Sequence, residues 1–357
     1  MSFTRKLTLV LFSALLLALL PGCGDDDDSQ PSSSAGGTPK AETGKKVTLK
    51  LTHNAGTGQS IDLATAYLAR EVKQRSDGRI EIQVFPNNVM GPEVACRDML
   101  VNGAIDMTSM GCGILSNWSG AVQIVQSLYA FESEEELMEI MTGEFGQKYF
   151  YGPFLKEQNV RVLDQWPQSA RQLISKKPVR TVADLPSLKL RTPSGIPVWE
   201  AGWSIMGVMA LSLALDEAFT GMQQGVCDAV EMPLEFIRAY RFAEEAKYLT
   251  MTNHNIYTQF LLINDNSWKK LSEEDQKILS ECVLDARKFA YEKRNEADSK
   301  ILEEFARDGV EIIHLTPEVL AGFQQKVQPS YTELMSLWGE DVYKDFTAAI
   351  QKYRSGS

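Results

Sequence analysis

The chain has 357 residues, with 36 Lys and Arg against 47 Asp and Glu, a net charge of −11. That acidity argues against nucleic acid, which calls for basic patches, while leaving room for a local arginine to hold a small anion. The length points to two or more domains rather than one core.

The first 22 residues read as a processing signal. Arg5 and Lys6 open it, and residues 9–20 form an apolar run broken only by Ser13. The run is shorter than the ~20 residues of a free transmembrane helix. It ends in Leu20-Pro21-Gly22-Cys23, which resembles a bacterial lipobox. Cleavage before Cys23 would expose its amine and thiol to acylation, and two or more acyl chains anchor a protein stably. The competing reading is an ordinary secretory peptide that happens to contain a cysteine. Residues 23–45 carry Asp25 to Asp28 and then a Ser/Gly/Pro/Thr-rich stretch, a flexible tether that cannot form a core. An Asp directly after the acylated cysteine resembles an inner-membrane retention signal. Here Gly24 holds that place, so inner and outer membrane both stay open, with the periplasmic side of the inner membrane as the expected location.

Beyond the tether, Val47, Leu49 and Leu51 alternate as in a strand. Ile61, Ala64, Leu68 and Val72 recur at helical spacing, and Ile80, Ile82 and Val84 alternate again. Pro92, Glu93 and the run to Leu100 predict a helix closed by Asn102-Gly103, and residues 104–110 a buried strand. This βαβα order predicts an α/β domain. A second α/β pattern follows. Residues 160–166, 171–176, 188–193, 207–211 and 227–231 read as strands, 181–185 as a helical turn, and Asp216 as the cap of a helix. Residues 272–306 contain no Gly or Pro and begin with Ser272 before Glu273, Glu274 and Asp275. They predict one helix about 50 Å long, enough to touch both domains. Residues 338–353 predict a last amphipathic helix.

Four cysteines remain in the body: Cys96, Cys112, Cys227 and Cys282. An exported compartment permits disulfides, and Cys96 and Cys112 are the nearest pair in sequence, but spacing alone fixes no pairing. His53, His254 and His314 are scattered, with no Cys/His cluster, so no metal or cofactor is expected. No nucleophile motif with an adjacent base appears, so no enzyme is expected.

Arg171 and Arg191 each sit at the edge of a strand pattern. A guanidinium offers a planar fork to a carboxylate, although residue type alone favours a surface or structural salt-bridge role for each. Four segments then carry a resemblance. They are GRIEIQVFPNNVMGPEVACRDMLVNGAIDMTSMG, KKPVRTVADLPSLKLRTP, GMQQGVCDAVEMP and AKYLTMTNHNIYTQFLLINDNSWKKLSEEDQKIL. In order and spacing the chain, over roughly residues 46–345, resembles the solute-binding proteins of tripartite ATP-independent periplasmic (TRAP) transporters, the DctP family.

The resemblance implies two α/β domains of the periplasmic-binding-protein kind, a hinge and a long bracing helix. It implies domain I at 46–168 with 258–297, and domain II at 169–257 with 298–357. It further implies that an organic monoacid or small dicarboxylate is held in a closing cleft and delivered to the small and large permease subunits. Arg191 matches the family's signature arginine, which pairs with the ligand carboxylate, and Arg171 matches a second contributing arginine. Glu93 matches an acidic or polar contact position, and as the first residue of a helix it would also suit the helix dipole. The family pattern Glu-Asn-Pro is Glu231-Met232-Pro233 here. Met232 cannot donate a hydrogen bond, so the pocket is expected to suit a less polar ligand. Trp166 and Trp203 are candidate cleft aromatics. Asn54 is a candidate at the C-terminal edge of the first strand, where open α/β sheets bind ligands. The expected partners are a small carboxylate, the permease and the bilayer through Cys23. A monomer is expected. A lipoprotein that presents its ligand to a membrane signalling receptor is the alternative role.

Overall fold

The computed structural model describes residues 46–193 and 196–356; the expected leader, Cys23 and the tether lie outside them. In chain order the strands are β1 (Val47–His53), β2 (Ile80–Phe85), β3 (Met107–Gly111), β4 (Val160–Pro167), β5 (Arg171–Ser175), β6 (Lys189–Pro193), β7 (Met209–Leu213), β8 (Ala229–Met232), β9 (Tyr248–Asn255), β10 (Thr258–Asn264) and β11 (Glu311–His314). The helices that position the site are α1 (Ser60–Arg75), α2 (Glu93–Asn102), α3 (Pro197–Ile205), α4 (Leu215–Gln223), α5 (Leu234–Ala239), α6 (Glu273–Arg307) and α7 (Glu340–Ser355).

Two sheets organise two α/β lobes. The first has the order β2-β1-β3-β10-β4 and the second β11-β9-β5-β8-β6-β7. In the first, β1 runs parallel to β2 and β3, and β10 runs antiparallel to β3 and β4. The second is likewise mixed, with β5 antiparallel to both β8 and β9. The chain crosses between sheets from β4 to β5 through residues 168–170 and returns from β9 to β10 through 256–257. Two short extended crossings of this kind make a hinge.

The long helix forms as its sequence predicts. Ser272 caps it, accepting from the Asp275 N–H at 3.1 Å, and 35 residues follow unbroken. Leu279, Val283, Ala286 and Ala290 enter the core beneath the first sheet, while Ile301 and Phe305 enter that of the second. Between them Arg294 donates to the Gln168 carbonyl at 3.1 Å, so mid-helix is pinned to the first crossing.

Local differences have local causes. Gly103, at φ 78°, closes α2 as expected, since that left-handed conformation favours glycine. Asp216 is not the cap of α4: the helix starts at Leu215 with Ala214 in the cap position. The strand expected at 207–211 lies at 209–213, because Gly207 adopts φ 94° in the turn before it. The last helix starts at Glu340, not at 338. Trp338 closes a separate turn, and Gly339 at φ 88° breaks the two apart. All four body cysteines are free and buried.

Candidate functional site

A cavity of about 580 Å³ lies between the lobes. The first lobe contributes Asn54, Glu93 and Gln259, the second Arg171, Arg191 and Met232, and the hinge Tyr257. A cavity of about 680 Å³ elsewhere lies against α7, but its Lys148 is already paired with Asp345 at 2.5 Å. It offers no buried cation to an anion.

The strand ends explain why these residues meet. Arg171 opens β5 and Arg191 is the third residue of β6, with β8 between those strands. Antiparallel pairing sets Gln172 opposite Met232 and Leu173 opposite Glu231. Arg171, Arg191 and Glu231 are 6%, 2% and 1% exposed, so their pairing decides the charge of the site.

Arg171 is already committed. Its Nε donates to Glu231 Oε2 at 2.5 Å, and its Nη2 donates to Oε1 at 2.9 Å and to the Glu231 carbonyl at 2.6 Å. The guanidinium also stacks on Trp199, 4.4 Å from the ring centroid. His254 Nε2 lies 2.9 Å from Glu231 Oε2, and its Nδ1 is 2.7 Å from Thr252 Oγ1. Burial holds the His254 pKa below its ordinary value. The neutral ring then donates Nε2–H to Glu231 and accepts the Thr252 hydroxyl at Nδ1. Burial alone would raise Glu231, but the Arg171 charge and the hydrogen bonds from His254 and Arg171 outweigh it and hold Glu231 at about 2. Glu231 is therefore an anion, and it cancels Arg171.

Arg191 is different. Its Nε donates to the Leu213 carbonyl at 3.0 Å, and among the described residues no side chain forms an ion pair with it. Burial, with the like charge of Arg171, lowers its pKa to about 10 despite Glu231. It stays cationic at neutral pH. A buried cation without a counter-charge is costly, and an anion entering the cavity removes that cost.

Of the residues singled out from the sequence, Asn54, Glu93, Arg171, Arg191 and Met232 line the cavity. Glu231 acts behind Arg171. Trp166 and Trp203 lie elsewhere. Trp166 is buried in the first-lobe core, and Trp203 packs edge-on against His254 at 4.9 Å. Trp199, one turn earlier on α3, is the indole that reaches the cavity, with its Nε1 tied to the Gln126 carbonyl at 2.6 Å. Helical spacing puts Trp199 and Trp203 on one face but does not say which end of that face meets the cleft. His254, Tyr257 and Gln259 carry no sequence signal of their own. Their only mark is their place around the β9-to-β10 crossing.

The family described as bacterial extracellular solute-binding protein, family 7 (DctP), matches residues 51–337. A solute-binding protein of Roseobacter denitrificans is 30% identical over 301 residues, 82% of this chain and 92% of that one. A solved TRAP periplasmic solute-binding protein from Ochrobactrum anthropi, whose C-terminus is bound in its ligand-binding pocket, is similar with a TM-score of 0.80 at 27% identity. The match covers 88% of this chain and 97% of that one. One from Roseobacter denitrificans with bound L-galactonate gives a TM-score of 0.74 at 28% identity, over 85% of this chain and 99% of its own.

Proposed function

This chain belongs to the family 7 bacterial extracellular solute-binding proteins, the non-catalytic DctP-type receptors of TRAP transporters, and we propose that it captures a carboxylic acid on Arg191 and delivers it to a membrane permease. The pairing pattern carries this reading: of two buried arginines at one cavity, Glu231 neutralises Arg171 and leaves Arg191 for the ligand. Trp199, Tyr257 and Met232 supply apolar wall around that charge. The L-galactonate bound by the Roseobacter denitrificans protein is itself a carboxylate, which supports the same ligand class. We further assign residues 46–168 with 258–297 to the first lobe and 169–257 with 298–357 to the second. Acylated Cys23 would tether the mature, monomeric receptor to the membrane on its extracytoplasmic side.

The test is a thermal-shift screen of the purified protein against hydroxy, keto, sugar, aromatic and amino acids, followed by calorimetry on each hit. A ligand that binds only the folded state raises the midpoint. Arg191→Ala is expected to weaken binding by at least about 100-fold, as for a buried charge pair that loses one partner, with little change in the ligand-free midpoint. Binding within about tenfold of the original, ~1.4 kcal/mol, would place the carboxylate elsewhere.

A further inference from the structure

Most polar side chains at the cavity are committed to partners within the protein. Arg171 is held by Glu231. On the first lobe, Ser109 Oγ donates to Gln259 Oε1 at 2.7 Å, and Gln259 Nε2 donates to Asn54 Oδ1 at 3.2 Å. Glu93 Oε1 accepts the Gly111 N–H at 3.3 Å, and burial pushes its carboxyl up, toward the neutral form. Gln126 differs: its Oε1 is buried without a hydrogen-bond partner among the described residues, a place for one donor. A sugar acid carries several hydroxyls, and each loses its water on entry unless the wall replaces it.

The second lobe supplies a different surface. Phe236 on α5 and Tyr240 just past its end both line the cavity. Their rings are parallel within 5°, with centroids 6.4 Å apart, a flat aromatic face one helical turn long. Neither residue is fully buried, and Tyr240 lies close enough to Arg191 to enter its electrostatic surroundings. The face thus runs beside the cation that has no counter-charge. Met232, two residues before α5, adds a thioether, which packs well against rings and donates no hydrogen bond. Opposite lobes also meet in apolar contact here. Ile196 of the second lobe reaches over Gly113 of the first, so closely that a Cβ on Gly113 would lie 2.6 Å from Ile196 Cδ1.

We propose that the ligand is an aromatic monocarboxylate, with its carboxylate on Arg191 and its ring against the face of Phe236 and Tyr240. Phe236 is then the residue that determines specificity. A flat ring stacks on such a face, and its C–H edges ask nothing of amides already paired with each other. A polyhydroxylated acid meets the same wall at a desolvation cost that Gln126 relieves for one hydroxyl only. This inference rests on the capture of a carboxylate by Arg191.

Two comparisons by calorimetry at neutral pH test it on the unaltered protein. Benzoate, phenylacetate and 3-phenylpropanoate are set against L-galactonate and D-gluconate, and 3-phenylpropanoate against 3-cyclohexylpropanoate, which keeps the carbon skeleton and loses the flat ring. At least one aromatic acid is expected to bind about tenfold or more tightly than either sugar acid, and the phenyl acid about fivefold or more tightly than its cyclohexyl counterpart. Phe236→Leu keeps apolar bulk without a ring. It is expected to bring the phenyl-to-cyclohexyl ratio to within about twofold, with the thermal midpoint confirming that the variant folds. A sugar acid that binds as tightly as every aromatic acid overturns the ligand class while leaving Arg191 untouched, and so does absence of binding by the whole panel. A cyclohexyl acid that matches its phenyl partner, or a ratio unchanged in Phe236→Leu, overturns the role of the ring face. If Arg191→Ala binds like the unaltered protein throughout the wider acid screen, the carboxylate reading falls separately.

Discussion

Arg171 and Arg191 carry the same charge and line the same cavity, yet Glu231 leaves only one of them available to an anion. The same bookkeeping of buried charge predicts a pH effect at Asp298, beside the hinge. It accepts the Ser169 hydroxyl at 2.8 Å. Burial raises its pKa to about 6, with Glu235 and Glu134 adding to the rise and Ser169 and Arg294 opposing it. A carboxyl whose folded pKa exceeds its ordinary 3.8 favours the folded state in its protonated form. That contribution is fully present below about pH 3.8 and is lost as pH rises through about 6. Asp298→Asn keeps an acceptor for Ser169 and removes the ionised form. It is expected to stabilise the protein by about 1–2 kcal/mol at pH 8 and negligibly at pH 4, read as a midpoint difference that grows with pH. A difference of equal size at both pH values would mean that Asp298 does not titrate in this range.

At the scale of elements, α6 joins the two lobes through one continuous run of hydrogen bonds. It holds together without a strong amphipathic stripe, because its partner changes along its length. Tyr67 of α1 stacks on Phe289 at 4.6 Å in the first half, and Ile301 and Phe305 bury against the second-sheet core in the other. Ile301 and Phe305, both buried, each contribute roughly 1.5–3 kcal/mol. The N-terminus depends on the Ser272 hydroxyl, reinforced by Glu273, Glu274 and Asp275 in the first turn. Ser272→Ala is expected to cost about 1 kcal/mol of stability, measured by denaturant unfolding, and to leave ligand affinity nearly unchanged. The cap lies at the far end of the helix from the Arg294 anchor on the hinge. A large loss of affinity would mean that the register of α6, and not only its stability, is communicated to the cleft.

For the whole molecule, the two lobes are joined directly beside the cleft by a pair of hydrogen bonds. The N-cap of α1, Gln59, makes no side-chain cap, and Glu235 from α5 of the other lobe takes that place. Its Oε1 accepts the Ser60 N–H at 3.1 Å, and its Oε2 accepts the Ser60 hydroxyl at 2.7 Å. Buried hydrogen bonds to a charged group are worth about 1.5–3 kcal/mol each, enough to slow reopening. Glu235→Ala is expected to speed ligand dissociation by about tenfold or more, as followed by stopped flow. Adding Ser60→Ala to it should cost little further, because both changes break one contact. Fully additive effects would separate the two residues.

Periodicity alone reads β1, α1, β2 and α2, because the apolar positions of each recur at a single period, while α6 is read from a long run free of Gly and Pro behind Ser272. Residues 209–213, Asp216 and Trp338 are placed less well, since single glycines at positive φ reset the chain beside two of them and apolar period carries no such information. Arg171, Arg191 and Glu231 are singled out in the sequence by the family resemblance of the segments around them, because residue type alone leaves a ligand site and a structural salt bridge both open. Which arginine is spent and which is free is a tertiary fact. It depends on β8 lying between β5 and β6 and on His254 arriving from β9. The same holds for Trp199 over Trp203 and for Glu235 reaching Ser60. Each joins groups far apart in the chain, and local propensity has no means of encoding a distance set by packing.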